Sequence, residues 1–288
     1  MEEETITPPV QRENAIETAI RIGTTIAPIH QHAKDGQMFV VVPEGFAVQS
    51  LEKLCAKPAR KRGSVTVSDM ASFCRYAGTH MRAGCSTAYA NVDVENFRFN
   101  VVAVLDDHGT EADGQNWQEH RCTLNSRTSF EWDKWRKHDR QKFTQTEFAE
   151  FLEDNVQDIT GGDGMPTGTD VLQMALNFER TANKRFRSKT NLQSGCVQLE
   201  FVDEENDKSR ERMQMFERFT IAIPVFQPND LHGEAVAYPV QARLKYREKD
   251  GELSFWYELI RADRVFQAAV ADELKKLPEQ LLVIYGTP

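Results

Sequence analysis

The residues whose types and spacing could do chemistry most directly are Asp106, Asp107 and His108. They end the apolar run NVVAVL (100–105), and His120 follows twelve positions after His108. Two imidazoles and a carboxylate suffice to hold zinc or another divalent ion with an open position for water. If 97–107 is a strand and 119–124 its return, His108 stands roughly opposite His120 and beside Asp107. The same residues, followed by Gly109, are also what a solvated turn is made of, and their spacing matches no established metal motif. Asp106 and Asp107 are poorly placed to share a proton, because neighbours in a strand point to opposite faces.

A second constellation is WDKWRKHDRQK (132–142). Trp132, Trp135 and His138 could stack on bases while Lys134, Arg136, Lys137, Arg140 and Lys142 meet phosphates. KPARKR (57–62) and KRFRSK (184–189) are further basic clusters. Against this, residues 127–189 hold eleven Lys/Arg and eleven Asp/Glu. Trp132 and Trp135, three apart, share one helical face, which is more often core than contact surface.

Other patterns point away from known chemistry. GGDGMPTG (161–168) lacks the Lys-Ser/Thr of a nucleotide phosphate loop and reads as a helix–helix linker, with weak anion binding left open at the following helix start. The acidic run DEEND (203–207) lacks calcium-loop spacing and reads as an exposed turn. The five cysteines (55, 74, 85, 122, 196) include no CxxC, which argues against a zinc ribbon or a dithiol redox site and fits reduced thiols. No G-x-S-x-G turn is present for a serine nucleophile.

The elements that must position these residues follow from periodicity. Residues 1–12 read as a loose acidic tail and 13–288 as a single domain, with a helix over Asn14–Ile22 and a strand MFVVV (38–42). Ser68 is expected to cap a helix carrying Met70, Phe73, Cys74 and Ala77. STAYANVDV and FRFNVVAVL read as two strands joined near Glu95-Asn96, pairing Val92 with Phe99 and Asp93 with Arg98. TSFE (128–131) and TQTE (144–147) both fit a capping box, and the second opens a stripe of Phe148, Phe151, Leu152, Val156 and Ile159. A third helix, capped by Thr169 or Asp170, would bear Leu172, Ala175, Leu176, Phe178, Ala182 and Phe186. CVQLEFV and RFTIAIPVF then return to strands. In 241–260 a two-residue turn at Asp250-Gly251 pairs Ala242 with Leu259, Leu244 with Tyr257 and Tyr246 with Phe255 on one face. The other face pairs Arg243 with Glu258 and Lys245 with Trp256, so a single register satisfies both sides. A helix over about 263–277 and a short strand LLVIYG follow. The pattern predicts an α+β fold, mainly antiparallel sheet with the hairpin 241–260 and a helical block at about 126–188 packed on it.

Composition bounds the rest. The chain has 288 residues, 40% of them apolar, enough for a sizeable core without disulfide or metal staples. A net charge of −9 argues against a generic polyanion binder. The acidic start MEEETITPPV has no apolar segment of a secretory signal, and no run approaches the roughly 20 apolar residues that span a bilayer. The expected location is cytoplasmic, with no membrane partner and no cofactor.

Five long strings carry a family likeness: FVVVPEGFAVQSLEKL, KPARKRGSVTVSDMASFCRYAGTH, VLDDHG, SFEWDKWRKHDRQKFTQTEFAEFLEDN and ARLKYREKDGELSFWYELIRAD. Together they resemble the YfdQ family of phage and prophage proteins, a domain of unknown function, from about residue 36 to the final YGTP. The resemblance implies a phage or prophage origin, a host-cytoplasmic setting, and gene neighbours in replication, recombination or host takeover. It assigns no catalytic residues.

The expectation is therefore a non-enzymatic phage accessory protein that binds a host or phage protein or itself, within replication or recombination. Its surfaces would be the 132–142 segment and the Arg243, Lys245, Trp256 face of the last hairpin. The alternatives are a direct DNA or RNA binder using the same basic stretches and a metal-dependent hydrolase at Asp107, His108 and His120. A homo-oligomer formed at an unpaired sheet edge is compatible with any of these.

Overall fold

The computed structural model describes residues 30–31, 38–39, 55–109, 114–162, 164–180, 185–191, 196–202, 210–227, 235–249 and 252–288. Strands in the first part of the chain are β1 (His30–Gln31), β2 (Met38–Phe39), β3 (Gly63–Val67), β4 (Thr87–Asp93), β5 (Arg98–Val104), β6 (His120–Asn125) and β7 (Ile159–Thr160). After them come β8 (Arg185–Asn191), β9 (Cys196–Val202), β10 (Arg210–Phe216), β11 (Arg218–Pro224), β12 (Ala237–Lys249), β13 (Glu252–Ile260) and β14 (Leu282–Tyr285). The helices are α1 (Met70–His80), α2 (Phe130–Lys137), α3 (Gln145–Asp154), α4 (Gly168–Arg180) and α5 (Ala262–Leu274). Met1–Arg60 forms one unit, whose described strands β1 and β2 pair antiparallel, and Lys61–Pro288 forms another. The expected tail 1–12, the helix 14–22, the DEEND run and the Asp250-Gly251 turn lie outside the described residues, as does MFVVV beyond Phe39.

The fold is α+β. In the large unit the strands form three sheets, ordered β10-β9-β8, β13-β12-β11-β7 and β14-β4-β5-β6-β3. Their pairings are antiparallel except β14 with β4 and β3 with β6.

The long hairpin β12–β13 has the register its sequence specifies. Ala242 faces Leu259, Leu244 faces Tyr257 and Tyr246 faces Phe255, while Arg243 faces Glu258 and Lys245 faces Trp256. Alternation fixes it, since a one-residue slip would turn Leu244, Phe255 and Tyr257 to solvent. On β11 the alternation continues, with Phe219, Ile221 and Ile223 buried on the inner face. Helices α2 and α3 lie on that inner face. Trp135 is 5.1 Å from Tyr257 and Phe148 stacks on Phe255 at 5.5 Å between ring centroids. The link between the helices is stitched to β13, because Phe143 and Phe255 exchange both backbone hydrogen bonds at 2.8 and 2.9 Å.

The five-stranded sheet buries Ala88, Ala90, Val101, Ala103, Cys122 and Leu124, with Phe73 and Ala77 of α1 also in the core. Phe97, Trp132, Phe226 and Phe266 join this sheet to the α2 layer through ring contacts of 5.3 to 5.8 Å. The β4–β5 register pairs Val92 with Phe99 and Asp93 with Arg98, as the sequence indicates.

Three caps differ from their sequence reading. Asp69 rather than Ser68 caps α1, accepting from Ser72 N at 2.8 Å. Ser129 rather than Thr128 caps α2, while Thr128 donates to Asp133. Thr167 rather than Thr169 or Asp170 caps α4, exchanging hydrogen bonds with Asp170. Each lies within two residues of an expected cap and offers an equivalent oxygen, a choice that local sequence leaves open. The TQTE box at Thr144 and Glu147 forms as read. The helical block does not reach residue 188: α4 stops at Arg180, and Arg185–Asn191 pairs with β9 as a strand.

Candidate functional site

The polar end of β5 is a structural network. Val104 faces Arg121, so the ladder brings His120 alongside Leu105, whose N–H donates to the His120 carbonyl at 2.9 Å. His108 lies three residues beyond Leu105, so it does not oppose His120. The Asp106 carboxylate accepts from the backbone N–H of Glu119 and His120 at 3.0 and 2.9 Å. Asp107 accepts from Gln118 at 2.7 Å, the His108 N–H at 2.8 Å and the Tyr89 hydroxyl at 2.9 Å. Burial pushes the Asp107 pKa up, but hydrogen bonds from Gln118, Thr87, His108 and Tyr89 outweigh it and hold the carboxyl below its ordinary value.

His120 belongs to a different cluster. Its Nε2 is 2.9 Å from the Tyr76 hydroxyl, and its ring lies 5.3 Å from that of His80, whose Nδ1 is 3.1 Å from Lys61 Nζ. Burial first, then His80, hold the His120 pKa below the ordinary imidazole value. His108 Nδ1 accepts from Asn116 N. The Asp107, His108 and His120 side chains are thus committed to separate partners. Among the described residues, no group of three or more His, Cys, Asp or Glu side chains is placed to hold a metal ion.

The 132–142 segment buries its two indoles and leaves most of its charged residues exposed. Trp132 and Trp135 are 1% and 0% exposed, which removes the two indoles from any stacking surface. Trp135 Nε1 donates to Asp158 at 2.7 Å, and the Tyr257 hydroxyl donates to the Trp135 carbonyl at 2.7 Å. His138 packs between Phe143 and Phe151. Of the cations, Lys134 donates to Asn155 at 2.6 Å, Arg136 lies 4.0 Å from the Phe97 ring centroid, and Arg140 lies 4.0 Å from Asp139. Lys137 and Lys142 are exposed. The helix was readable as amphipathic, and its periodicity places the indoles in the core.

The outer face of the four-stranded sheet is different. Alternation sends Arg218 and Thr220 of β11, Gln241, Arg243, Lys245 and Arg247 of β12, and Trp256 and Glu258 of β13 away from the core. Arg218 and Arg243 face each other directly across the β11–β12 ladder. Among the described residues, the side chains of Arg218, Arg243, Lys245 and Arg247 make no hydrogen bond or ion pair. Glu258 is the acidic residue in the Arg218–Arg243 row, and its carboxylate is 3.4 Å from Trp256 Nε1. A cavity of about 470 Å³ opens at the Arg218 end of this face, lined by Met215, Glu217, Arg218, Arg243 and Lys245 together with Leu244 and Tyr246 of the opposite face. A second cavity, of about 580 Å³, lies where this face meets the start of α5, with Gly162, Thr220, Gln241 and Arg264 among its lining residues. Like charges opposed on adjacent strands destabilise a sheet, so this pair weakens the fold that carries it.

Arg243, Lys245 and Trp256 were readable from the hairpin. Arg218 and Arg247 join them in the structure. Arg247 carries the same outward alternation as Arg243 and Lys245, whereas the place of Arg218 depends on how β11 registers against β12.

No curated protein and no solved structure is matched by the chain. A family model described as "Uncharacterized conserved protein (DUF2303)" matches residues 11–288. With that span matched, the chain belongs to this family of uncharacterised conserved proteins.

Proposed function

We propose that the protein is a phage or prophage accessory protein that acts in the host cytoplasm by holding a macromolecular partner on the outer face of β11–β13. The phage setting rests on the resemblance to the YfdQ family. The binding role rests on one observation: Arg218 and Arg243 stand opposed in register, with Lys245 and Arg247 beyond them, and none of the four makes an ion pair among the described residues, with Glu258 of β13 the one carboxylate facing Arg243. An anionic partner would relieve that repulsion. The hydrogen bonds that Asp107, His108 and His120 make with Gln118, Asn116 and Tyr76 support a binding role over hydrolysis at those residues.

The test is position-specific photo-crosslinking of the full chain in a prophage-bearing host. A photoreactive residue at exposed Gln241, on the outer face, should give defined adducts that an equivalent residue at exposed Glu153 on α3 does not. Equal labelling at both positions, or none at Gln241, overturns the reading.

A further inference from the structure

We infer that the occupant of this face is a single-stranded nucleic acid, held by its phosphates along β12 and by a base against Trp256. The inference rests on the binding role proposed above and names its ligand.

The charges are arranged as a track. Arg243, Lys245 and Arg247 are alternate residues of β12, so they stand on one face at steps of about 7 Å. That is a regular line of cations, suited to a polymer that carries one negative charge per unit. Arg218 opposes Arg243 across the strand pair, so two guanidiniums bracket one position at the 470 Å³ cavity. Guanidinium forks grip phosphate oxygens bidentately, which gives such a bracket both strength and orientation. Beyond it lie Thr220 and Gln241, neutral hydrogen-bonding groups. Next comes Arg264, whose side chain makes no hydrogen bond or ion pair among the described residues.

The aromatic placement selects the ligand. Trp256 is the cross-strand partner of Lys245, so a half-buried indole flanks the cation line at one step. Its Nε1 is held to Glu258, which fixes the ring on the sheet. A flat aromatic beside a basic track is how single strands are held without sequence reading, since every base has a face to stack. An acidic protein surface would use the cations and have no call on the indole. A duplex would bring its phosphates and keep its bases stacked inside. The chain's net charge of −9 weighs against binding polyanions over the whole surface, but salt screens charges more than about 10 Å away, so the local track governs here.

The experiment is fluorescence anisotropy of a labelled oligothymidylate titrated with the full chain at several salt concentrations. Four neutralised phosphates give a slope of log K against log salt near −2.8, at about −0.7 per phosphate on single strands. Reversing the bracket (Arg218→Glu with Arg243→Glu) should weaken binding at least tenfold, whereas Lys137→Glu with Lys142→Glu, the same charge change on the α2 segment, should leave it unchanged. Trp256→Ala should cost a further loss of about tenfold on the oligonucleotide and none on polyglutamate. Circular dichroism and a thermal melt confirm that each variant is folded. No binding at low salt, or indifference to bracket reversal in a folded variant, overturns the inference. Tighter binding of polyglutamate than of oligothymidylate overturns the nucleic-acid assignment while leaving the binding role standing. Equal affinity for a duplex overturns the single-strand assignment.

Discussion

Arg218→Glu should make the protein more stable while removing the grip proposed for it. Arg218 and Arg243 are directly opposed on adjacent strands, with Cβ atoms about 5 Å apart in that geometry. Opposed like charges cost, and opposed unlike charges contribute, roughly 0.2–1 kcal/mol each relative to a neutral pair. Reversal therefore swings the pair by about 1 kcal/mol. Glu258, which faces Arg243 from β13, and Glu217, which lines the same cavity, trim the gain towards about 0.5 kcal/mol. For a folded unit of this size such a gain raises Tm by about 1–4 °C. Urea unfolding followed by circular dichroism measures it directly. The gain should fall towards zero in about 1 M salt, where the screening length is near 3 Å. Lys142→Glu, with the same change in net charge on an exposed residue, serves as the control and should move stability by less than about 0.5 kcal/mol. If Arg218→Glu destabilises the fold, or if its gain survives high salt undiminished, the reasoning from opposed charges is wrong.

Further outcomes follow from the core and the polar network. Tyr257→Phe strands the buried Trp135 carbonyl that its hydroxyl serves and should cost about 1–3 kcal/mol in urea unfolding. Trp132→Phe and Trp135→Phe should separate: the Trp132 indole N–H is buried with no hydrogen-bond partner among the described residues, whereas Trp135→Phe leaves Asp158 unserved, so the second should be the costlier by about 1 kcal/mol or more. Thr144→Ala removes the cap of α3 and should cost about 1 kcal/mol by the same measure. Asp107 has a folded pKa below its ordinary value, so its contribution is fully present above an unfolded value near 3.8 and is lost as pH falls through the folded value. The stability gap between the wild type and Asp107→Asn should therefore be widest near neutral pH and close below about pH 3.8 in an acid titration of unfolding.

What could be read from the sequence depended on whether one local rule fixed the answer. The β12–β13 register was legible because a two-residue turn and two-sided alternation give a single solution; β4–β5 was legible from alternation about Glu95-Asn96, although its loop spans the four residues 94–97. Strands β8 and β10 were not. RFRSKTN and RERMQMF are too charged to read as strands, and their pairing with β9 determines them. The parallel pairings β3–β6 and β14–β4 carry no turn signal, because their partners are far apart in sequence. The opposition of His108 and His120 failed by three residues because the β5–β6 register sets Leu105 against His120, with Gln118 N–H donating to the Asp106 carbonyl. The basic helix gave up its indoles to the core, as its spacing warned. Arg218 joined the outward face only through the β11–β12 register, across a connection that no short hairpin signature marks.

The pairing of β14 with β4 also sets an order of events during synthesis. Thr87–Ala90 must wait for Leu282–Tyr285, so roughly 200 further residues leave the ribosome before this edge of the sheet can close. Until then β4 presents an unsatisfied row of amides and carbonyls to the cell. Nascent chains stalled before Tyr285 emerges should be the aggregation-prone and chaperone-bound species of this protein, and ribosome profiling of chaperone contacts would find them there.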